Sequence, residues 1–576
     1  MDGASKGPTT LLAATLHRSA SREATFFGTI SVPLHDILVH TEKSLMRNEI
    51  VIYLLLLQNR VYTSNILIWN PTIGYSHVKF LGNIADVLTQ DGHNVTIFSP
   101  VMDPHIKTFG NQLSARTVPY KPGALNTDDW LKLEMKSPSL WDSPPCDSIC
   151  FNWEDYEVAY EQNIIYCKEL LRDQEMISTL NDSKFELAFS ESFDLCAPGF
   201  FEVLGIENAV MVSAFGMLPR LYEIAGMSEL PSFVPDPLTP YSDDMTFMER
   251  LTNLKVHIQI KSEMRRWEQM FWEVFNAKYP GFPTIAEIYN RKTALIMTNV
   301  NEFAESARPT TNMIRYGGST LYPTKPLTKD LENILNERNA TVFFSLGSLA
   351  QSKDMPTWLK NDIISTFASF PDVTFIWKYE DDDIASFETH PNIHYLKWVP
   401  QFDLLADRRL SLFITHGGMN SMLEAMFCAK SMIVIPLFAD QQFNSKTIQR
   451  RGLGTIIERN HLNKKTLTEA IQTTLGNKKI AQESEFVAAQ LVGRPQQYRD
   501  DIARWARAII EHGKMDHLLL HSRNLNFMQY YCEQWPLHRF PPKRSELRSA
   551  KRVRAKQRKL PPSRLCEQAY SGFKTT

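Results

Sequence analysis

Residues 398–441 read WVPQFDLLADRRLSLFITHGGMNSMLEAMFCAKSMIVIPLFADQ. Leu410–Thr415 is a short apolar run, the pattern of a strand buried in a parallel sheet. His416-Gly417-Gly418 breaks it. Asn420 or Ser421 can cap a helix that continues through Leu423, Glu424, Ala425 and Met426. Met432–Phe438 reads as the next buried strand. A strand, a glycine turn and a helix start together present free backbone N–H groups and a positive dipole end, which attract phosphate. His416 stands at the strand's carboxyl end, where open α/β sheets bind ligands.

The other polar residues of the stretch suit a nucleoside diphosphate that carries a sugar. Trp398 offers a flat face for a base, and Gln401 an amide edge for the base or ribose. Glu424 lies four residues after Asn420, on the same helical face, and a carboxylate there can hold two ribose hydroxyls. Asp440 and Gln441 follow a strand end and can clamp sugar hydroxyls. An ordinary βαβ unit carries such residues as caps and solvated loops, so no single one decides. Their order and spacing do. WVPQ, THGGxNSxxE and IPLFxDQ resemble the signature of the UDP-glycosyltransferases, an inverting, metal-independent family with the GT-B fold. The resemblance runs from about Asn65 to Cys532. It implies that Trp398 stacks uracil and Gln401 helps hold the nucleoside. It implies too that His416, Asn420 and Ser421 contact the diphosphate, Glu424 the ribose, and Asp440 with Gln441 the donor sugar. Ala429, Ser431 and Arg408 depart from the family's glycine, proline and proline, which touches local backbone geometry more than chemistry.

The chain has 576 residues, more than one core usually serves, so two domains are expected. Hydrophobic residues make up 43%, as in a globular protein. The net charge of −2 hides an asymmetry. Residues 536–576 hold twelve Lys/Arg against two Asp/Glu, a local +10, which leaves −12 for the rest. Charge therefore excludes the folded part as a nucleic-acid binder. Seven cysteines are too few for a disulfide scaffold, and Cys146 and Cys150 read as a local disulfide or as two free thiols rather than as a zinc pair.

Residues 1–45 show no periodicity and read as an unstructured extension. Residues 46–64 contain the apolar run Ile50–Leu57, which fits a signal-peptide core if translation starts at Met46, or else a buried strand. Residues 65–315 form the first Rossmann-like domain. Asn65–Pro71 is its opening strand, a helix follows with apolar Val78, Leu81, Ile84 and Leu88 on one face, and Asn94–Pro100 is the second strand. The turn Gly74-Tyr75-Ser76-His77 is no GxGxxG fingerprint, so no dinucleotide is indicated. His77 can act as a base near neutral pH, and family members carry their catalytic His in this turn, in a similar G-x-S-H setting. Such a base needs an orienting carboxylate. The segment Lys184–Phe201 resembles the one that supplies it, with Glu191 where many members have Asp, and Asp194 as the alternative.

Residues 215–290 are rich in aromatics and methionine, either as helical core or as the wall of an apolar acceptor pocket. Thr293–Glu305 reads as the last strand of this domain, and residues 316–330 as a linker. Residues 331–495 are the second Rossmann-like domain, opened by Thr341–Ser348, whose Ser348 can meet the diphosphate. Residues 496–532 are helices that return to the first domain, and residues 533–576 a basic disordered tail with no apolar run of about 20 residues, so no carboxyl-terminal span is expected, although the resemblance implies membrane association through one. Asn181 and Asn339 are glycosylation acceptors if the chain enters the endoplasmic reticulum lumen, whereas a start at Met1 predicts a cytosolic product. Asn94 is discounted because it opens a buried strand.

Together these readings predict a GT-B α/β protein that moves glucuronic acid or glucose from a UDP-sugar to a small lipophilic acceptor. No cofactor or metal is expected, because the UDP-sugar is a co-substrate. No nucleic-acid partner is expected. A non-catalytic UDP-sugar binder and a nucleotide-sugar epimerase are the rivals. The presence of His77 argues against the first, and the long aromatic segment against the second.

Overall fold

The structure is a computed structural model. It describes residues 63–525 and 530, with breaks at 114, 124–140, 142–145, 147, 151–152, 319–322 and 383–386. The apolar run Ile50–Leu57, the amino-terminal extension and the basic tail lie outside the described residues.

Thirteen strands build two sheets among the described residues. In the first are β1 (Asn65–Trp69), β2 (Asn94–Pro100), β3 (Arg116–Tyr120), β4 (Leu187–Glu191), β5 (Ala209–Ser213), β6 (Thr293–Thr298) and β7 (Ile314–Tyr316). Their spatial order is β3-β2-β1-β4-β5-β6-β7, and all neighbours are parallel. In the second are β8 (Ala340–Ser345), β9 (Val373–Lys378), β10 (Ile393–Leu396), β11 (Leu410–Thr415), β12 (Ser431–Val434) and β13 (Gly454–Ile456). Their order is β10-β9-β8-β11-β12-β13, again parallel throughout. Burial on both faces explains why β1, β4, β6 and β11 read as unbroken apolar runs rather than as alternation.

Both sheets wind outward in two directions from a central pair. The chain order reverses between β1 and β4 in the first sheet and between β8 and β11 in the second. Loops at the carboxyl ends of such a pair splay apart and leave a crevice. His77 follows β1 and Glu191 ends β4, whereas Ser348 follows β8 and His416 follows β11.

The helices that matter for the site are α1 (Tyr75–Gln90), α2 (Phe247–Lys278), α3 (Met419–Phe427), α4 (Gln441–Arg450) and α5 (Arg494–His512). α1 buries Val78, Leu81, Ile84 and Leu88, the face expected from their spacing. α5 starts after Gly493, whose φ of 80° turns the chain, and crosses to the first domain. There Ile502, Ala503, Ala506 and Ile509 share a core with Ile66, Ile68 and Leu81.

The structure corrects three expectations. Thr293–Thr298 is not the last strand of its sheet, because β7 pairs outside it, three residues long and too short to stand out in the sequence. Asn420 and Ser421 do not cap α3. They sit inside it, and Gly418 is the N-cap, with extended backbone and no side chain to offer. Asn94 is exposed although it opens a buried strand, so the ground for discounting it as a sequon fails. Of the two readings of Cys146 and Cys150 the disulfide is found, and a second disulfide joins Cys167 to Cys196.

Ala429 adopts a left-handed conformation, φ 55°, just after α3. This is the position where the family usually has glycine. A side chain there costs about 1–2 kcal/mol of steric strain, partly offset by the lower chain entropy of alanine. Ala429→Gly should therefore stabilise the protein by about 0.5–1 kcal/mol, seen as a higher urea midpoint with an unchanged slope.

Candidate active site

The site is built from the two switch points. α1 starts in the crevice beside β1 and aims the His77 ring at β4. His77 Nδ1 lies 3.0 Å from Glu191 Oε2. Glu191 is 1% exposed, and its carboxylate is held from the far side. Oε1 accepts from the backbone N–H and the hydroxyl of Ser192, and Ala214 N–H donates to Oε2 at 3.1 Å. The carboxylate thus fixes the tautomer: Nδ1 carries the proton, and Nε2 is left as the basic nitrogen. Phe193 and Phe215 pack edge-on to the imidazole, with ring centroids 5.0 and 5.3 Å away, and give it an apolar flank.

Asp194 is not part of this pair. It is fully buried, where it accepts from Trp69 Nε1, the Tyr166 hydroxyl and the backbone N–H groups of Cys196 and Ala197. Burial pushes its carboxyl above the ordinary value despite these donors.

In the second domain the His416 ring lies between two glycines. A Cβ on Gly347 would come within 2.6 Å of the ring, and one on Gly418 within 2.5 Å, so only glycine fits at either position. Burial, with the Lys378 ammonium nearby, lowers the imidazole to about 4. His416 is therefore neutral and brings an N–H rather than a charge. Lys378 donates to Gly347 O at 2.9 Å and to Glu380 at 2.9 Å, which holds the loop that ends in exposed Ser348.

Trp398 is 63% exposed, ready to stack. Gln401 Nε2 donates to Glu424 Oε2 at 2.7 Å and to Ser421 Oγ at 3.0 Å, which joins three of the predicted residues in one network. Gln441 is buried, and its Oε1 accepts from the N–H groups of Leu437 and Phe438. Part of its capacity is thus spent on the turn after β12. Asp440 bonds Asn444, and burial raises its carboxyl to about 6, opposed by Asn444 and by His77 nearby.

Several contacts across the cleft were not legible in the sequence. Tyr75 meets Trp398 edge-on at 5.9 Å. Lys79 Nζ lies 3.3 Å from Glu424 Oε1. Asn299 Nδ2 donates to Asn420 Oδ1 at 2.6 Å, and Asn420 Nδ2 to Ser76 O at 3.4 Å. The start of α1 therefore meets the second domain. Phe193 and Lys378 were missed as well, since each acts only through a neighbour distant in sequence.

Comparison with known proteins identifies the family and the fold. Residues 64–533 match the family described as UDP-glucoronosyl and UDP-glucosyl transferase. The Caenorhabditis elegans protein ugt-55 is 32% identical over 72% of this chain and 80% of its own length. UDP-glucuronosyltransferase 3A1 of Xenopus laevis is 27% identical over 80% of this chain and 87% of its own. Among solved structures, the glycotransferase of kitacinnamycin superposes with a TM-score of 0.53 at 16% identity, covering 80% of this chain and 99% of that one. A UDP-glucosyltransferase from Polygonum tinctorium gives 0.52 at 15%, covering 77% and 98%. These two likenesses concern the fold, which is GT-B. With a family match over most of its length, this chain belongs to the UDP-glucoronosyl and UDP-glucosyl transferase family and is a hexosyltransferase.

Proposed function

We propose that the chain transfers glucuronic acid or glucose from a UDP-sugar to a hydroxyl of a small lipophilic acceptor, with inversion. The observation that carries this reading is the His77–Glu191 pair, set in one domain and facing Asp440 of the other. The acceptor oxygen attacks the anomeric carbon while His77 Nε2 takes its proton. The bond from that carbon to the UDP oxygen breaks, and its electron pair leaves on the diphosphate. Glu191 stabilises the imidazolium. Ser348, the neutral His416 and the N–H groups at the Gly418 start of α3 receive the diphosphate by hydrogen bonds. Trp398 stacks the base, Gln401 and Glu424 hold the nucleoside, Asn420 and Ser421 support the diphosphate end, and Asp440 with Gln441 holds the donor sugar. A single displacement turns an α-linked donor into a β-glycoside.

The experiment is turnover of UDP-glucuronic acid and of UDP-glucose with and without one simple phenol, with the product's anomeric configuration read by NMR. Consumption of donor without acceptor, or an α-glycoside, would remove the reading. The nucleotide half has its own test. Trp398→Ala should weaken UDP binding by about 1–3 kcal/mol, the usual contribution of an aromatic stack on a base. Calorimetry that finds unchanged UDP affinity would take Trp398 out of the site.

A further inference from the structure

Two charged side chains that the mechanism does not use lie buried next to the cleft. Glu305 and Arg308 sit in the segment that follows β6. Arg308 Nη2 is 2.6 Å from Glu305 Oε1, and each side chain is 2% exposed. Taking two charges out of water costs about as much as their attraction returns, so such a pair is weak support for stability. What it holds in place is the more telling observation. Its first hold is on the loop 214–217, after β5. Arg308 Nη1 donates to Met217 O at 3.4 Å, and the Met217 N–H faces the Glu305 carboxylate. Gly216 lies against that carboxylate so closely that a Cβ there would come within 2.6 Å of Oε2. The same loop carries Phe215, edge-on to His77, and Ala214, whose N–H donates to Glu191. The pair therefore backs the loop that flanks the base.

Its second hold is on α4, across the domains. The Arg308 guanidinium lies over the Phe443 ring, 5.7 Å from the centroid. Phe443 is buried in the first turn of α4, two residues after Gln441 and three after Asp440. Just past the other end of α4, Arg451 donates to Glu302 O at 3.1 Å and to Glu305 O at 3.0 Å. One short segment of the first domain, residues 302–308, is thus fastened to α4 at both of its ends. The guanidinium has a further tie within the first domain, where it donates to the Tyr222 hydroxyl at 3.3 Å. A planar group with several donors in fixed directions suits such a junction, because it can serve a carboxylate, a carbonyl and a ring face at once.

We infer that the Glu305–Arg308 pair positions the two halves of the reaction against each other. Through Met217 it sets the Phe215 loop beside the His77 ring, and through Phe443 it sets the start of α4, where Asp440 and Gln441 hold the donor sugar. The inference rests on the reading of His77, Asp440 and Gln441 given above. Glu305 and Arg308 act through these neighbours and are positioning residues. A misplacement of about 1 Å between reacting groups costs on the order of 100-fold in rate. The pair therefore acts on kcat, whereas UDP affinity belongs to Trp398, Gln401 and Glu424.

The test removes both charges at once, because either substitution alone leaves its partner buried and unpaired. Glu305→Gln with Arg308→Met nearly keeps the side-chain volumes. In the full chain it should leave the urea midpoint at or above that of the unsubstituted protein and UDP affinity by calorimetry unchanged, while kcat with a simple phenol falls by about 10–100-fold. Arg308→Lys, which keeps the charge and loses the planar fork, should lose less. A second readout needs no turnover. In protein carrying isotope-labelled histidine, the His77 ring resonance, assigned by its absence in His77→Ala, should shift in the double variant because the Phe215 ring moves against it. An unmoved His77 resonance overturns the inference. So does a kcat near that of the unsubstituted protein where His77→Ala is inactive, and so does a lower urea midpoint with the kcat of the folded protein intact, which would make the pair a structural one. Near-normal transfer by His77→Ala is a separate failure: it removes the base, and with it the pair's part in the reaction, and leaves the shift in place.

Discussion

His77→Ala should lower transfer by about 10²–10⁴-fold, the usual contribution of a positioned general base. UDP affinity should stay nearly constant, because His77 belongs to the first domain and the residues proposed to hold the nucleotide belong to the second. Few other groups can take over. Glu191 is buried behind His77, and Asp440 bonds Asn444. Steady-state kinetics with a simple phenol, paired with calorimetry for UDP, reads both quantities. The loss should fall on kcat. Transfer within a few-fold of wild type would take His77 out of the base role, whereas a parallel loss of UDP binding would point to a damaged cleft.

Glu191→Gln should cost a comparable factor, on the order of 10²–10⁴ in kcat, without opening a cavity. The amide has nearly the carboxylate's shape, and an oxygen at the Oε1 position can still accept from the N–H groups of Ser192 and Ala214. Two things change at His77. The negative charge that stabilises the imidazolium is gone. The amide N–H₂ can also face Nδ1, which puts the ring proton on Nε2, the wrong nitrogen for a base. As a positioning residue, Glu191 should leave a signature that a structural residue would not: the loss should fall on kcat, with UDP affinity and the urea midpoint unmoved. Glu191→Asp should recover part of the rate. Asp194→Asn is the contrasting variant. It touches Trp69, Tyr166 and the backbone at Cys196, so its effect should appear as lower stability with the kcat of the folded protein near wild type. A kcat loss in Asp194→Asn and not in Glu191→Gln would reverse the two roles.

Much of this arrangement was legible because parallel strands buried on both faces leave unbroken apolar runs, and glycine turns interrupt them at fixed places. Leu410–Thr415, His416-Gly417-Gly418 and the helix after them could be read from 44 residues or so of pattern. The spacing of Val78, Leu81, Ile84 and Leu88 similarly marked α1 and put His77 at its start. Edge elements were harder. β3 has an alternating, half-exposed pattern with a proline in it, and β7 has three residues, so neither produces a run. The cap of α3 was misassigned because a glycine N-cap works through backbone shape, while Asn and Ser carry the more familiar side-chain signal.

The sequence by itself determined the alternation of strands and helices, the two domains and the place of His77 at the end of the first strand. These are properties of period, spacing and residue type along the chain. Only the tertiary structure decided which carboxylate meets His77: Glu191 ends β4 and reaches the ring, whereas Asp194 lies three residues on, in the turn before the next helix, and faces Trp69 and Tyr166. It also decided that His416 is neutral, because desolvation depends on what packs around a ring and not on its neighbours in sequence. The Lys79–Glu424 and Tyr75–Trp398 contacts join residues more than 300 positions apart, and the closure of two sheets over one cleft brings them together. The same holds for α2: its sequence has apolar residues on both sides, and only packing against Leu238, Ile149 and Ala439 chose which side is core and left Phe247, Leu251, Leu254 and Ile258 facing out.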